Sequence, residues 1–300
     1  MTARKKGSKR APRRTAPNLT SLEERIRKYS AMPRNVTLPR GAKDVVNELL
    51  DALETGAVRA ALPDGSGTWQ AVEWVKLGIL LAFRAGSAKE VAVAGTPPVV
   101  RFIDKDTIPA QLLDPAAGVR IVPGGSSVRR GAYLAPGVVC MPPMFVNVGA
   151  YVARDTMIDS HALVGSCAQV GERVHLSAAA QIGGVLEPIN AAPVVIEDDV
   201  IVGGNCGVYE GTIVHSRAVL AAGVVLTRGT PVFDLVRDRV HKADKEAPLE
   251  IPADAVVVPG ARAVRGRWAE TQGLALQTPV IVKYRDEKTD LSTMLEKWLR

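Results

Sequence analysis

Aromatic side chains are scarce in this sequence. Phe, Trp and Tyr make up 4% of its 300 residues, although hydrophobic residues as a whole make up 47%. A core of this composition is built chiefly from Val, Ile, Leu and Ala. It therefore favours many thin, repeated layers over a few layers of bulky side chains.

Cysteine and long apolar runs are also scarce. The three cysteines, Cys140, Cys167 and Cys206, form no CxxC pair, and an odd number without metal-ligand spacing indicates buried thiols in a reducing compartment. The most apolar stretch, Leu77–Phe83, is seven residues long and too short to span a membrane. The N-terminal segment lacks the apolar region of a secretory signal. We therefore expect a cytoplasmic protein without membrane contact.

Acidic side chains are missing from the first fifteen positions, which hold seven basic ones and so account for the formal charge of +7. The remainder carries 31 basic and 31 acidic side chains. Such a tail is typically disordered, so residues 1–19 are predicted to be a solvated basic tail, with an RNA or membrane contact as the less favoured alternative. The neutral body of the chain does not suggest DNA binding.

Apolar residues recur with helical spacing in the first third of the chain. Three helices are predicted, over 16–31, 44–55 and 69–83. Ser21-x-x-Glu24 is a capping-box pattern for the first, and Gly56 can end the second. Residues 20–115 are therefore predicted to form a small, mainly helical N-terminal domain.

A period of six replaces the helical period after residue 115. An aliphatic residue, or Cys140, occupies every sixth position, and a generally small residue follows it four positions later. The aliphatic positions are Val122, Val128, Leu134, Val146, Val152, Ile158, Val164, Val170, Leu176, Ile182, Ile196, Val202, Val208, Val214, Leu220 and Leu226. This period fits a chain that turns a corner after each short strand, so that eighteen residues make one triangular coil with the aliphatic residues inside.

Two interruptions divide the repeats. The register breaks after Ile182, across a loop that contains Glu187, and breaks again over 231–250. The repeats end near residue 264, and residues 265–300 are predicted to form a small extension. That extension contains a strand over 279–283 and a short helix over 291–299.

Repeats of this kind resemble the hexapeptide-repeat left-handed parallel β-helix, and the resemblance alone supplies the handedness. The fold class expected for residues 116–264 is therefore mainly β. Most proteins with this fold are acyltransferases that use coenzyme A or acyl carrier protein, and some are γ-class carbonic anhydrases. The four histidines do not show the paired spacing of a zinc site, so each is interpreted as a lone surface imidazole. His161 or His175 is retained as an alternative general base.

A more specific resemblance lies within the repeats and on both sides of them. Phe145–Val152, Thr156–Asp159, Val164–Gln169, Val174–Ser177 and Ile182–Pro188 closely resemble the tetrahydrodipicolinate N-succinyltransferases. Leu53–Arg59 and Trp74–Arg84 are similar to that family's N-terminal domain, and Pro279–Lys283 to its C-terminal part. About residues 40 to 300 are covered. The basic tail is not.

The resemblance implies a reaction and an assembly. Members transfer succinyl from succinyl-coenzyme A to the amino nitrogen of ring-opened tetrahydrodipicolinate, in lysine and diaminopimelate synthesis. The product is N-succinyl-2-amino-6-oxopimelate. The family forms homotrimers with active sites between neighbouring chains. Succinyl-coenzyme A is a cosubstrate, and no metal or prosthetic group is expected.

Asp159 matches the family's aspartate, assigned as the base or as a group that orients the amine, and Arg120 matches its substrate-carboxylate arginine. Without the resemblance, Asp159 is a polar corner residue and Arg120 a surface cation. The family's best-studied members carry a functional glutamate where this chain has Gly207. Glu210 and Glu187 are the candidate substitutes, or Asp159 acts alone.

Small residues at the corners permit close approach of an extended pantetheine, although they also suit tight packing. The candidates for coenzyme A binding are Gly203, Gly204, Ala221 and Ala222, together with Lys283 for a phosphate. Arg262, Arg265 and Arg267 are further cations near the C-terminal end.

Two alternatives remain open. The first is another hexapeptide N-acyltransferase, such as tetrahydrodipicolinate N-acetyltransferase, which donor preference would distinguish. The second is a non-catalytic β-helix scaffold, for which Gly207 is the best support and Asp159 with Arg120 the counter-argument.

Overall fold

The structure is a computed structural model that describes residues 18–91, 102–245 and 247–286. Most of the predicted basic tail and the helix predicted over 291–299 lie outside these ranges. The described helices all fall short of the length and apolar character needed to cross a bilayer.

The N-terminal part contains three helices and two small antiparallel hairpins. The helices are α1 (Leu19–Ser30), α2 (Gly41–Glu54) and α3 (Glu73–Ala85). The hairpin strands are β1 (Ala61–Pro63) with β2 (Trp69–Ala71), and β3 (Ala88–Val91) with β4 (Phe102–Lys105). The helices share one core, which extends to Val148 and Cys167 of the repeat region. Gly56 follows the end of α2 with a φ of 71°, so the prediction that it ends this helix is confirmed.

Two details of the helix predictions are wrong. The N-cap of α1 is Asn18, whose side chain accepts a hydrogen bond from the N–H of Ser21, so Ser21 itself lies inside the helix. The third helix begins at Glu73 and not at Trp69, because Trp69–Ala71 pairs as a strand with Ala61–Pro63. This non-local pairing overrides the helical spacing of the apolar residues.

The repeat region is a parallel β-helix whose coils have the predicted length. Tyr151 pairs with Gln169, and Met157 with His175, each eighteen residues on. The strands β5 to β21 are two residues long and form three sheets, called here faces 1, 2 and 3. Within strands β6 to β21 the inward residue is buried, as in Ile158 and Leu176. The prediction of Val122 as the inward residue of the first coil is wrong, because Ile121 pairs with Cys140 and the first coil therefore has one residue more.

The faces take successive strands in turn. Face 1 contains β5 (Arg120–Ile121), β8 (Val139–Cys140), β11 (Met157–Ile158), β14 (His175–Leu176), β17 (Ile201–Val202), β20 (Val219–Leu220) and β25 (Ala255–Ala263). Face 2 contains β6 (Ser127–Val128), β9 (Phe145–Val146), β12 (Leu163–Val164), β15 (Gln181–Ile182), β18 (Gly207–Val208) and β21 (Val225–Leu226). Face 3 contains β7 (Tyr133–Leu134), β10 (Tyr151–Val152), β13 (Gln169–Val170), β16 (Val195–Ile196), β19 (Ile213–Val214) and β24 (Glu250–Ile251).

The C-terminal part extends face 1. β25 pairs with β20 only at its start and then forms a long hairpin with β26 (Ala275–Tyr284), which includes the predicted strand 279–283. The short helix α4 (Arg267–Thr271) lies between these strands. The second predicted interruption contains a further hairpin, β22 (Val232–Asp234) with β23 (Arg239–His241).

The N-terminal part covers face 3. The guanidinium of Arg59 lies 3.8 Å from the ring centroid of Tyr151, and its Nε donates to Gln169 at 2.9 Å. Burial lowers the pKa of Arg59. Together with the stacking of Tyr133 on Tyr151, this contact places the N-terminal part against the outer side of face 3.

Candidate functional site

Most of the predicted site residues lie along one edge of the prism, where face 1 turns into face 2. Asp159 directly follows β11, Gly203 follows β17 and Ala221 follows β20, so these three residues form one column, here called edge 1–2. The column is fixed by backbone hydrogen bonds, including 2.9 Å from Asp159 N–H to Leu176 and 2.8 Å from Gly203 N–H to Leu220. Gly204 and Ala222 are the next residues along the same corner.

Asp159 is half-buried at this edge, and its Oδ1 accepts a hydrogen bond of 2.6 Å from the N–H of Ser160. That bond holds the carboxylate in one orientation. Two coils separate Asp159 from Gly203, which is about 10 Å at the usual strand spacing. A pantetheine extended along Gly203 and the small residues beside it would therefore end at the Asp159 carboxylate.

The small residues of edge 1–2 differ in how much room the surrounding backbone leaves beside them. A Cβ on Gly203 would lie 2.6 Å from both the backbone N of Ala222 and the backbone O of Leu220, so glycine is required there by packing of the adjacent coil. A Cβ on Gly204 would meet only the carbonyl oxygen of Ala178, at 3.3 Å, and Ala222 is exposed. The outer surface at Gly204 and Ala222 is thus the open part of this edge.

Arg120 lies on face 1 in the first coil, and its residue is exposed. The strand order β5, β8, β11 puts it two coils from the strand that precedes Asp159, on the side away from Gly203. Lys283 is at the other end, on β26 beside Val256, exposed, with its Nζ 3.4 Å from Asp286. The predicted binding residues therefore follow one another along the prism. Arg120 lies toward one end, Asp159 lies between, and the small residues with Lys283 lie toward the other end.

Glu210 and Glu187 do not share this edge. Both are at the corner between faces 2 and 3, here called edge 2–3, and a whole face separates that corner from Asp159. The carboxylate of Glu210 accepts a hydrogen bond of 2.8 Å from the N–H of Arg228. Glu187 is exposed in the loop of the first interruption and lines a cavity of about 520 Å³ with Arg34, Phe83 and Arg84, among other residues. One chain alone does not bring either acid to Asp159.

Lys76 is a buried charged residue that the sequence did not single out. Its residue is 0% exposed, and its Nζ donates to the carbonyl oxygens of Pro188 at 3.1 Å and Ala191 at 2.7 Å. Burial lowers its pKa. The lysine ties α3 to the loop that carries Glu187, so the helical part determines where this loop lies.

The interpretation of all four histidines as lone surface imidazoles is wrong for His215 and His241, and His175 is half-buried with its Nδ1 inaccessible. His215 lies between Glu197, at 3.2 Å, and Glu250, at 3.1 Å, while His241 lies 3.2 Å from Asp234. The hydrogen bond to Glu197, aided by that to Glu250, outweighs burial and raises the pKa of His215 to about 9. Histidine spacing alone carried no signal for these pairs, because the partners of His215 come from adjacent coils and that of His241 from the facing strand of its hairpin.

Glu197 connects this pair to the N-terminal hairpin. Its Oε1 accepts a hydrogen bond of 3.0 Å from Trp69 Nε1. Burial acts to raise the pKa of Glu197, but the hydrogen bonds from His215 and Trp69 prevail and lower it to about 2. A groove of about 360 Å³ beside them is lined by Arg59, Trp69, Tyr151, Gln169 and Glu197, among other residues.

We expect His215 to make stability depend on pH. Since its folded pKa is raised above the ordinary 6.5, its contribution is complete below pH 6.5 and disappears as the pH rises through about 9. The free energy of unfolding of the parent minus that of His215→Gln should shrink by on the order of 2 kcal/mol between pH 6 and pH 9.5. Urea unfolding at both pH values measures it. Glu197→Gln should weaken this dependence, although Glu250 still acts on His215. An equal parent-to-variant difference at both pH values would show that the pair contributes nothing.

Among the described residues, no group of His, Cys, Asp and Glu is arranged to hold a metal ion, and the three cysteines are buried and free.

The eighteen-residue coils, the three parallel faces and the small-residue edge define a β-helix protein of the hexapeptide-repeat class. A family model described as the hexapeptide repeat of succinyltransferase matches residues 193–228. A second, the N-terminal part of tetrahydrodipicolinate N-succinyltransferase, matches residues 21–85.

Whole-chain relatives lead to the same group. A 2,3,4,5-tetrahydropyridine-2,6-dicarboxylate N-succinyltransferase of Paramagnetospirillum magneticum is 41% identical over 86% of this chain and 90% of its own length. Those of Rhodopseudomonas palustris and Xylella fastidiosa are 40% and 37% identical, over 86% and 94% of this chain and 90% and 97% of their own lengths. The chain belongs to the 2,3,4,5-tetrahydropyridine-2,6-dicarboxylate N-succinyltransferase family. A solved Campylobacter jejuni structure described as a putative N-succinyltransferase matches 79% of this chain and 62% of its own chain, with 16% identity and a TM-score of 0.43.

Proposed function

We propose that this chain transfers the succinyl group of succinyl-coenzyme A to the amino group of ring-opened tetrahydrodipicolinate and yields N-succinyl-2-amino-6-oxopimelate. The step belongs to lysine and diaminopimelate synthesis. The observation that carries the proposal is the 41% identity over 86% of the chain to a protein named for this transfer. Edge 1–2 supplies a matching arrangement, with Asp159 in line with the small residues.

The proposed chemistry is acyl transfer to nitrogen. The amine attacks the thioester carbonyl as a neutral nucleophile, and Asp159 accepts the proton that the amine gives up. The carbon–sulfur bond then breaks, and coenzyme A leaves as its thiol after taking up a proton. The fixed carboxylate and the donor on the same edge hold the two reactants in reach, which lowers the entropic cost of their meeting.

Recognition is divided along the length of the prism. We infer that Arg120 binds a carboxylate of the acceptor, because a guanidinium and a carboxylate match in bidentate geometry. The donor lies toward the opposite end, with pantetheine at Gly203, Gly204, Ala221 and Ala222 and a phosphate at Lys283. No metal ion takes part in this scheme.

The proposal extends to handedness, domains and place of action. We infer a left-handed β-helix, supported by the match of the hexapeptide-repeat model to residues 193–228. We keep the divisions 116–264 and 265–300, and begin the N-terminal helical part at Asn18 and not at residue 20, because Asn18 caps α1. The buried free thiols support action in the reducing cytoplasm.

The test is release of coenzyme A from succinyl-coenzyme A or acetyl-coenzyme A in the presence of tetrahydrodipicolinate. We expect release that depends on both the acceptor and the succinyl donor. Faster release from acetyl-coenzyme A would identify an N-acetyltransferase instead. Release from neither donor, in a correctly folded chain, would support the scaffold alternative.

A homotrimer completes this proposal. The outward side chains of face 2 include Phe145, Leu163 and the exposed Val225, which suit burial against identical neighbours. If face 2 of each chain lines a threefold axis, edge 1–2 of one chain meets edge 2–3 of the next. Asp159 then lies beside the Glu187 and Glu210 side of a neighbour, which a single chain cannot achieve.

We therefore expect light scattering to give three times the chain mass of 31.9 kDa. Val225→Glu should shift the mass toward the monomer and reduce succinyl transfer, because it places a charge in the proposed contact. A parent chain that is a stable, active monomer would contradict both the assembly and the shared site.

A further inference from the structure

Tyr209 occupies the space that a side chain at position 207 would need. Gly207 is buried on face 2, and a Cβ built on it would lie 2.4 Å from Cε2 and 2.9 Å from the hydroxyl oxygen of Tyr209. Contacts under 3.0 Å to a Cβ essentially do not occur in proteins, so no larger residue fits there while the ring stays in place. The Tyr209 phenol can therefore occupy its position only because residue 207 has no side chain.

A second glycine supports the same ring from the coil below. Gly183 donates its N–H to Val208 at 2.8 Å, and a Cβ on it would lie 2.8 Å from Cδ1 of Tyr209. The ring is therefore held between two positions that have only backbone, Gly207 in its own coil and Gly183 in the next coil toward Asp159. Within the ranges that the structure describes, no residue hydrogen-bonds the Tyr209 hydroxyl.

Tyr209 also lies at the level of the donor. It follows Gly203 by six residues in the same coil, whereas Arg120 lies in the first coil, beyond Asp159. With face 2 at the threefold axis, edge 2–3 of one chain faces edge 1–2 of its neighbour. Tyr209 then lies at the level of the neighbour's donor part and not at that of its acceptor part. A succinyl arm that turns away from the acceptor at Asp159 brings its free carboxylate toward this level.

We propose that Tyr209 is a donor-specificity residue whose hydroxyl hydrogen-bonds the free carboxylate of the succinyl group bound by the neighbouring chain. The inference rests on the proposed function and on the shared site. Tyr209, in the position that Gly207 permits, distinguishes succinyl from acetyl, because only succinyl carries this carboxylate.

The chemistry of the phenol suits this role. A phenol is neutral at physiological pH and donates one O–H, and a hydrogen bond to an ionised acceptor is about twice as strong as one between neutral groups. An acetyl group offers the hydroxyl no such acceptor. A polar group that binds part of one substrate therefore favours it over the analogue that lacks that part.

The experiment compares kcat/KM for succinyl-coenzyme A and acetyl-coenzyme A, at saturating acceptor, in the parent and in Tyr209→Phe. We expect about a tenfold loss with succinyl-coenzyme A. With acetyl-coenzyme A, kcat/KM should stay within about twofold of the parent. Where acetyl transfer is too slow to follow, the inhibition constant of acetyl-coenzyme A against the succinyl donor supplies the second value and should not change.

Two further variants separate the hydroxyl from the packing of the ring. Gly207→Ala keeps the hydroxyl but displaces the ring, and it should shift the donor ratio in the same direction as Tyr209→Phe. Tyr133→Phe removes a phenol that stacks on Tyr151 of face 3, so the donor ratio should stay at the parent value.

The outcomes are distinct. Equal losses with both donors would assign Tyr209 a purely structural role and overturn the inference, as would an unchanged donor ratio in Tyr209→Phe. A folded parent that transfers succinyl at no measurable rate would instead overturn the proposed function, and this inference with it.

Discussion

Asp159→Asn should lower the rate of succinyl transfer by on the order of 10²–10⁴-fold at saturating substrates. The amide keeps the shape of the carboxylate and can still accept the hydrogen bond from Ser160, but it does not accept the proton of the amine. Binding of succinyl-coenzyme A should change little, because the donor needs no base. Single-turnover kinetics and donor affinity, measured on the same preparation, test both statements.

Arg120→Lys is the matched comparison for Asp159→Asn. An ammonium carries the same charge as a guanidinium but does not form the bidentate fork, so we expect a higher KM for the acceptor with a largely retained kcat. The two variants thus separate chemistry from recognition. Nearly full turnover in Asp159→Asn would exclude it as the base, and Glu210, Glu187 and His161 would then be tested in that order.

Leu176→Ala should lower the free energy of unfolding by about 2–5 kcal/mol. The residue is 0% exposed inside the prism, and its strand pairs with those of Ile158 and Val202 in the adjacent coils. The backbone ladders on both sides restrict how far these coils can close on the missing atoms. Urea denaturation at one fixed protein concentration measures the loss, since dissociation of an oligomer would contribute to the apparent stability.

The control for this cavity is Leu112→Ala. Leu112 is fully exposed, at 101% of its reference area, and the same change there should alter stability by no more than about 0.5 kcal/mol. Similar losses of unfolding free energy in Leu176→Ala and Leu112→Ala would show that the loss does not come from a cavity inside the prism.

The faces of the prism were predictable from the sequence because one aliphatic residue in six suffices to define them. The eighteen-residue pairing of Tyr151 with Gln169 follows directly from that period. The alignment of Asp159 with Gly203 needs one more fact, namely that the loop containing Glu187 adds eight residues to one coil. His175 pairs with Ile201, twenty-six residues on, and this register was not specified by the repeats alone.

Contacts between the N-terminal part and the prism could not be predicted in the same way. Trp69 is held by Glu197, which is 128 residues distant, and Lys76 by carbonyl oxygens more than 110 residues distant. Such contacts leave no periodic trace in the sequence. The Trp69–Ala71 strand was consequently mistaken for the first turn of α3, and the buried role of Lys76 was missed.

The position of Tyr209 over Gly207 was likewise invisible to motif comparison. The sequence showed only that a side chain was absent at 207, which suggested a lost function and drew attention to nearby acids. The structure shows that a different side chain fills that space. Glu210, the nearest acid in sequence, bonds instead to the backbone of Arg228.

The coil length of eighteen residues restricts how such a chain can change its length. Adding or removing eighteen residues lengthens or shortens the prism by one strand spacing, about 4.8 Å, and leaves every later residue on the same edge. A change of six residues would instead rotate all later residues by one face and carry Gly203 away from the edge of Asp159. An insertion of any other size must be extruded sideways, as the eight residues near Glu187 are, or it would turn the interior of the prism outward. Gene-level insertions in this region should therefore be confined to multiples of one full turn or to corners where a loop can leave the surface.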